Sequence, residues 1–293
     1  MPLTWPREEP AVQVHVVLPD ESPSMGVQEL VRLAREAEEL GYEGVWLPDH
    51  VLPPGPYGPD RYGGVYESLV TLAYLAAATE RVTLGTTVVV LPLRAPLVLA
   101  RQAATLAHLS GGRFVLGAGV GWEGYEFDAA GVDFGSRGAL TTSSLRLIRH
   151  LHEKGGGPYR DRFHAFDERA VFQPVPERPV PFLIGGNSQA ALRRAAELGD
   201  WWQGFALGPE EFSERRAALR ELSGGRPVAA GARISWDDDG PGGRTADDLR
   251  TEADAWQRAG ADHLSVWFGS VAEDGFGRRM RALAARLPGR ARG

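Results

Sequence analysis

The sequence predicts an α/β protein built as a single (β/α)8 TIM barrel, and three observations carry that expectation. The hydrophobic period switches repeatedly between two and about 3.6, as it does where strands and helices alternate. Eight strand-helix pairs can be counted along the 293 residues. No linker divides the chain into compact halves, so one closed barrel accounts for the pattern better than an open doubly wound sheet.

The elements follow in order. Residues 11–19, AVQVHVVLP, form a first strand, and Val27, Leu30, Val31, Ala34 and Ala37 then line one apolar helical face that ends at Gly41. In the stretch EGVWLPDHVLPP, Val45, Trp46 and Leu47 have the character of a core strand that Pro48 stops. YESLVTLAYLAAATE at 66–80 is the second helix, RVTLGTTVVV at 81–90 the third strand, and APLVLARQAATLAHLS at 95–110 the third helix. RFVLGAGV at 113–120 is the fourth strand and residues 138–152 the fourth helix. An irregular insertion rich in Gly, Pro and charge follows at about 155–178, expected to border the mouth where a barrel's extra loops gather. The fifth unit is VPFLIGG with NSQAALRRAAELG; the sixth is DWWQGFAL with PEEFSERRAALRELS. PVAAGARISW and a helix from Thr245 to Ala259 make the seventh, and ADHLSVWFG with a helix through Leu287 the eighth.

Composition narrows the partners. Hydrophobic residues are 43%, charged residues 24%, and a net charge of -6 gives no electrostatic case for nucleic acid or an anionic membrane surface. The absence of cysteine excludes disulfides, a thiolate nucleophile and zinc-thiolate sites. The start MPLTWPREEP has no basic segment followed by an apolar one, and no apolar run approaches a membrane span, so the cytoplasm is the expected location.

In such a barrel the chemistry sits on loops at the carboxyl ends of strands. That rule selects Asp49-His50, the run from Thr86 and Thr87 through Val88 to Val90, the turn Gly119-Val120-Gly121-Trp122, the loop Gly185-Gly186-Asn187-Ser188, and the loop after Phe268. Each has a plainer reading. His50 could cap a neighbouring carbonyl, and Gly119 and Gly121 could only make a tight turn. The fifth loop carries the clearest physical argument, because small residues opening a helix direct unpaired amides at an anion; an ordinary helix cap is the alternative. His15 stands alone in QVHVV and the other histidines are scattered, so no metal site is expected. No G-x-S-x-G elbow, Walker loop or G-x-G-x-x-G fingerprint is present.

GYEGVWLPDH, the block from YGGVYESL through SGGRFVLGAGVGW, and PVPFLIGGNSQAALRRAAELGD together strongly resemble the bacterial luciferase-like superfamily of flavin and deazaflavin oxidoreductases. The resemblance is greatest to the branch that uses the 8-hydroxy-5-deazaflavin coenzyme F420. It implies that His50 lies near the reactive face of the tricycle as proton donor or hydride-site neighbour, with Asp49 orienting it. It implies a non-prolyl cis peptide close to Thr87-Val88 backing the central ring, a cofactor-facing segment at Gly119, Gly121 and Trp122, and a phosphate loop at Gly185, Gly186, Asn187 and Ser188. It also implies a homodimer through barrel helices.

One departure bears on substrate. Deazaflavin sugar-phosphate dehydrogenases of the superfamily place a glutamate where this chain has Trp122, and their basic phosphate-binding residues have no clear counterparts here. Glu123 and Glu126 are close by, in a register that is not that of the missing acid. Trp122, with Trp46, Tyr57, Tyr62 and Trp267, points to an apolar or aromatic pocket, although core packing explains Trp46 and Trp267 equally well. The expected activity is hydride transfer between coenzyme F420 and a small organic substrate. The alternatives are an FMN-dependent monooxygenase with a flavin reductase partner, and a flavin-binding protein without catalysis.

Overall fold

A computed structural model describes residues 12–20, 25–53, 66–236, 244–269 and 274–287. Tyr57 and Tyr62 lie outside them. Strand β1 (Gln13–Val17) is followed by α1 (Val27–Glu39), β2 (Gly44–Leu47) by α2 (Ser68–Ala78), and β3 (Thr83–Thr86) with β4 (Val89–Val90) by α3 (Pro96–Leu109). Then come β5 (Phe114–Gly119), α4 (Gly124–Ala130), α5 (Arg137–Lys154) and the short strands β6 (Tyr159–Arg160) and β7 (Ala165–Phe166). Four further pairs close the chain: β8 (Phe182–Gly185) with α6 (Gln189–Leu198), β9 (Trp201–Phe205) with α7 (Pro209–Leu222), β10 (Ala229–Ser235) with α8 (Ala246–Arg258), and β11 (His263–Trp267) with α9 (Gly275–Ala284).

The sheet runs β3-β2-β1-β11-β10-β9-β8-β5-β4, and β3 also pairs with β5, so the parallel strands close on themselves. β3 and β4 are two pieces of one barrel position, divided at Thr87-Val88. The result is a (β/α)8 barrel with its ring of helices, as the period switching requires. No helix among the described residues is long and apolar enough to cross a membrane.

The barrel interior is filled, not hollow. Val17, Trp46, Val115 and Leu183 form an inner cluster against which Val88, Trp201 and Trp267 pack. His15 meets Trp46 edge-on at 5.4 Å and His263 at 5.9 Å, and Trp201 lies 4.9 Å from His263. Glycines on the strands make room for these rings: a Cβ at Gly44 would fall 2.4 Å from the His15 ring, and one at Gly85 2.2 Å from Trp46. Trp46 is therefore a fully buried filler beneath the mouth and not part of its rim. Burial pushes His263 down to about 4, so its ring is a neutral packing group.

The segment between α5 and β8 does not sit as expected. It joins the end of a helix to the start of a strand, so both of its ends belong to the face opposite the mouth. Its antiparallel β6-β7 pair packs outside the helical ring on α5, where His150 lies 5.0 Å from Tyr159. Ser143 Oγ of α5 donates to Asp161 Oδ2 at 2.5 Å, while farther along His108 of α3 meets the Val175 carbonyl at 3.0 Å. Burial alone would raise the Asp161 carboxyl. Hydrogen bonds from Ser143, the Phe163 and His164 amides and the Tyr159 hydroxyl hold it instead at about 2.

Candidate active site

Four strand ends converge on the carboxyl face of the barrel. His50 follows β2, Val88 divides β3 from β4, the glycine turn follows β5, and Gly185-Gly186 ends β8.

Asp49 and His50, adjacent in sequence, serve different partners. Successive residues of extended chain point to opposite sides. Asp49 is buried, and Arg94 grips it with two donors, at 2.6 Å to Oδ1 and 3.3 Å to Oδ2. The Ser68 hydroxyl donates to Oδ1 at 3.0 Å and the Val90 amide to Oδ2 at 3.1 Å. Burial alone would lower the Arg94 guanidinium; the carboxylates of Asp49 and Glu67 more than offset it. Asp49 thus ties the loop after β2 to the start of α2 and to β4. The carboxylate that holds His50 is Glu126 of α4, whose Oε2 lies 2.8 Å from Nδ1. That corrects the expected role of Asp49. Glu126 is itself buried, and its Oε1 accepts the amides of Val51 at 2.6 Å and Leu52 at 2.8 Å.

Gly121 explains how α4 reaches that position. Its φ of 76° turns the chain left-handed after β5, and an added Cβ would meet Val90 and Phe127 at 2.7 and 2.8 Å. Glu123 then caps α4 by accepting the Tyr125 amide at 3.0 Å. Trp122 is 53% exposed and presents its ring edge-on to His50, with centroids 5.9 Å apart. With exposed Val51, Leu52 and Tyr125 it makes an apolar rim beside the imidazole.

The Thr87-Val88 peptide is cis, at the position the resemblance implied. Val88 is half-buried and lies in a glycine-lined seat. A Cβ on Gly119 would come within 2.4 Å of its Cγ2, and one on Gly185 within 2.9 Å of its Cγ1. Thr86 does not share that seat. Its hydroxyl donates to the Gly117 carbonyl at 2.8 Å and accepts the Gly117 amide at 2.9 Å, standing in for ladder bonds where the strand breaks. Gln203 donates to Thr87 Oγ1 at 2.7 Å and accepts from Ser265 at 2.8 Å, while Arg233 donates to the Thr87 carbonyl at 3.1 Å. This polar relay crosses the barrel beneath the mouth, and sequence reading had singled out only its Thr87 end.

In the fifth loop the side chains have structural employment. Asn187 Nδ2 donates to the Phe205 carbonyl at 2.6 Å and its Oδ1 accepts the Phe205 amide at 3.0 Å. Ser188 caps α6 by accepting the Ala191 amide at 3.2 Å. Gly186 has a φ of 120° and accepts from the Trp202 indole at 2.9 Å. Arg215 of α7 reaches the Asn187 carbonyl and pairs with Glu211 at 2.7 Å, placing a guanidinium at this loop that no sequence spacing had indicated.

Among the described residues no cluster of three or more His, Asp or Glu could hold a metal ion. A cavity of about 500 Å³ lined by His108, Phe114, Glu177 and Val180 opens at the amino ends of β5 and β8. It lies on the face that serves stability in this fold.

Comparison with known proteins bears on the family and the fold. The family model described as luciferase-like monooxygenase matches residues 12–264. An uncharacterized protein of Mycobacterium tuberculosis is 32% identical over 204 residues, covering 66% of this chain and 70% of its own. An F420-dependent glucose-6-phosphate dehydrogenase of Kineococcus radiotolerans is 34% identical over 177 residues, 58% of this chain and 50% of that protein. The chain thus spans about half the length of that relative. Among solved structures, an F420-dependent secondary alcohol dehydrogenase in complex with an F420-acetone adduct superposes with a TM-score of 0.80 at 17% identity, covering 94% of this chain and 98% of that one. At that identity the likeness speaks for the fold alone.

Proposed function

The chain belongs to the luciferase-like monooxygenase family, whose members are oxidoreductases or monooxygenases, and we propose that this protein transfers hydride between the deazaflavin coenzyme F420 and a small organic substrate. The observation that carries the reading is the pairing of His50, on the loop after β2, with Glu126 of α4; the same loop is tied to β4 next to Val88 by the bond from the Val90 amide to Asp49. A bound deazaflavin supplies a ring carbon at position 5 that gives or takes hydride and reacts poorly with oxygen.

The chain's own residues divide the remaining work. Val88, with Gly119 and Gly185 lacking side chains on either side, offers a flat-backed support for a planar ring. Gly186 and the first amides of α6 would take a phosphate, as helix amino termini do, since Asn187 and Ser188 spend their side chains on the loop itself. His50 handles the substrate's proton. With a deazaflavin bound to take up hydride, the imidazole would accept the hydroxyl proton of an alcohol as it becomes a carbonyl, and would return that proton in the reduction.

The rim of Trp122, Tyr125, Val51 and Leu52 favours an apolar or aromatic substrate over a sugar phosphate. A homodimer is part of the same reading, supported by exposed Val70 and Tyr74 on α2 and Leu97 and Val98 on α3. Its check is the molar mass in solution of wild type and of Val70→Asp/Val98→Asp. The activity is tested by following deazaflavin absorbance without oxygen, oxidised cofactor with aryl and alkyl secondary alcohols and reduced cofactor with the matching ketones. Turnover in either direction supports hydride transfer. Oxygen consumption with FMN and a flavin reductase, and none with the deazaflavin, moves the assignment to a monooxygenase.

A further inference from the structure

We propose that Glu126 is a positioning residue that fixes the tautomer of His50, keeping the ring proton on Nδ1 and the lone pair on Nε2. The functional part of this inference rests on His50 being the proton-handling group; the tautomer itself follows from geometry alone.

Backbone amides can only donate, so the Val51 and Leu52 amides commit Glu126 Oε1 as an acceptor at 2.6 and 2.8 Å. The remaining oxygen, Oε2, faces Nδ1 at 2.8 Å in a place where the Glu126 side chain is only 2% exposed. A carboxylate accepts at both oxygens, which makes Nδ1 the donor. Nε2 is then the nitrogen that accepts a proton when an alcohol is oxidised and returns it when a carbonyl is reduced. The choice of tautomer by the bond at the other ring nitrogen is the general means by which proteins set imidazole chemistry.

Glu126→Gln converts this into a sharp test. The new carbonyl oxygen must stay on the two backbone amides, since turning the NH2 toward them would set donors against donors. The NH2 then points at Nδ1, which has to accept, and the ring proton moves to Nε2. The substitution keeps size and shape and is expected to invert the tautomer.

The experiment is nitrogen-15 NMR of the histidine rings in the full chain, without cofactor or substrate, at a pH where the ring is neutral. The protein has seven histidines, and the His50 signals are those missing from His50→Asn. In wild type, Nδ1 is expected as the protonated, pyrrole-type nitrogen and Nε2 as the unprotonated, pyridine-type one. In Glu126→Gln the two types exchange places, and turnover with the deazaflavin falls by about 10²-fold or more, while cofactor affinity stays within about threefold. A protonated Nε2 in wild type overturns the proposal, and so does an unchanged tautomer in the variant. Should the variant not fold, the wild-type spectrum still decides. Because no cofactor enters the spectra, failure here leaves the cofactor assignment standing, and failure of that assignment leaves the tautomer standing.

Discussion

His50 Nδ1 lies 2.8 Å from Glu126 Oε2, a part-buried hydrogen bond that, with the Val51 and Leu52 amides on Oε1, joins the loop after the second barrel strand to the helix after the fourth. The pair makes His50 a candidate acid-base group with a fixed orientation, so its loss is expected to strike the chemical step and not the cofactor. His50→Asn should lower turnover by about 10²- to 10⁴-fold while cofactor affinity stays within about threefold. Steady-state rates paired with fluorescence titration check this. Unchanged rates in the variant would remove His50 from the chemistry.

The Val88 seat makes a second prediction. Because a Cβ on Gly119 would stand 2.4 Å from Val88 Cγ2, Gly119→Ala forces that side chain out of its seat. We expect affinity to weaken at least about tenfold, or about 1.4 kcal/mol, measured by tryptophan quenching. Gly26→Ala, where an added Cβ meets nothing within 4 Å, is the control and should bind as wild type does.

The Arg94-Asp49 pair is expected to be structural. Arg94→Ala leaves the Asp49 carboxylate buried without its charged partner, a change that costs about 3 kcal/mol or more. Urea unfolding should show a lower midpoint with an unchanged slope. A midpoint equal to wild type would mean that Ser68 and the Val90 amide suffice for Asp49.

The buried imidazoles set an acid limit. Burial pushes His263 down to about 4 and also lowers His152, partly countered there by the hydrogen bond to the Ala100 carbonyl. Folded values below the ordinary value of about 6.5 mean that the unfolded chain binds more protons in between. Stability present above about pH 6.5 is therefore lost as pH falls toward about 4. Thermal unfolding at stepped pH should show this slope, flattened in His263→Gln; equal slopes for the two proteins would assign the loss to other groups.

Much of the barrel is readable from period, because its strands are hydrophobic enough to be buried and most of its helices end at a glycine, as at Gly41, Gly155, Gly199 and Gly260, whereas α2 ends at Thr79 without one. The break at Thr87-Val88 is hidden from that kind of reading: RVTLGTTVVV has unbroken β character, and only the resemblance indicated a cis bond there. The partner of His50 was concealed for a different reason. Glu126 is 76 residues away in the chain, on a helix too short to show a period, whereas Asp49 is adjacent and so looked like the natural partner. Adjacency misleads at a strand end, where neighbouring side chains face opposite ways. Trp46 was ambiguous because a tryptophan inside a barrel and one at its rim read alike until glycines such as Gly85 are seen to face it.

The choice of cofactor is decided by a titration. Quenching of the eight tryptophans is followed as coenzyme F420 and FMN are added to separate samples of the purified chain. Saturable micromolar binding of the deazaflavin is expected, with FMN at least about tenfold weaker. Tighter binding of FMN than of the deazaflavin would contradict the deazaflavin assignment.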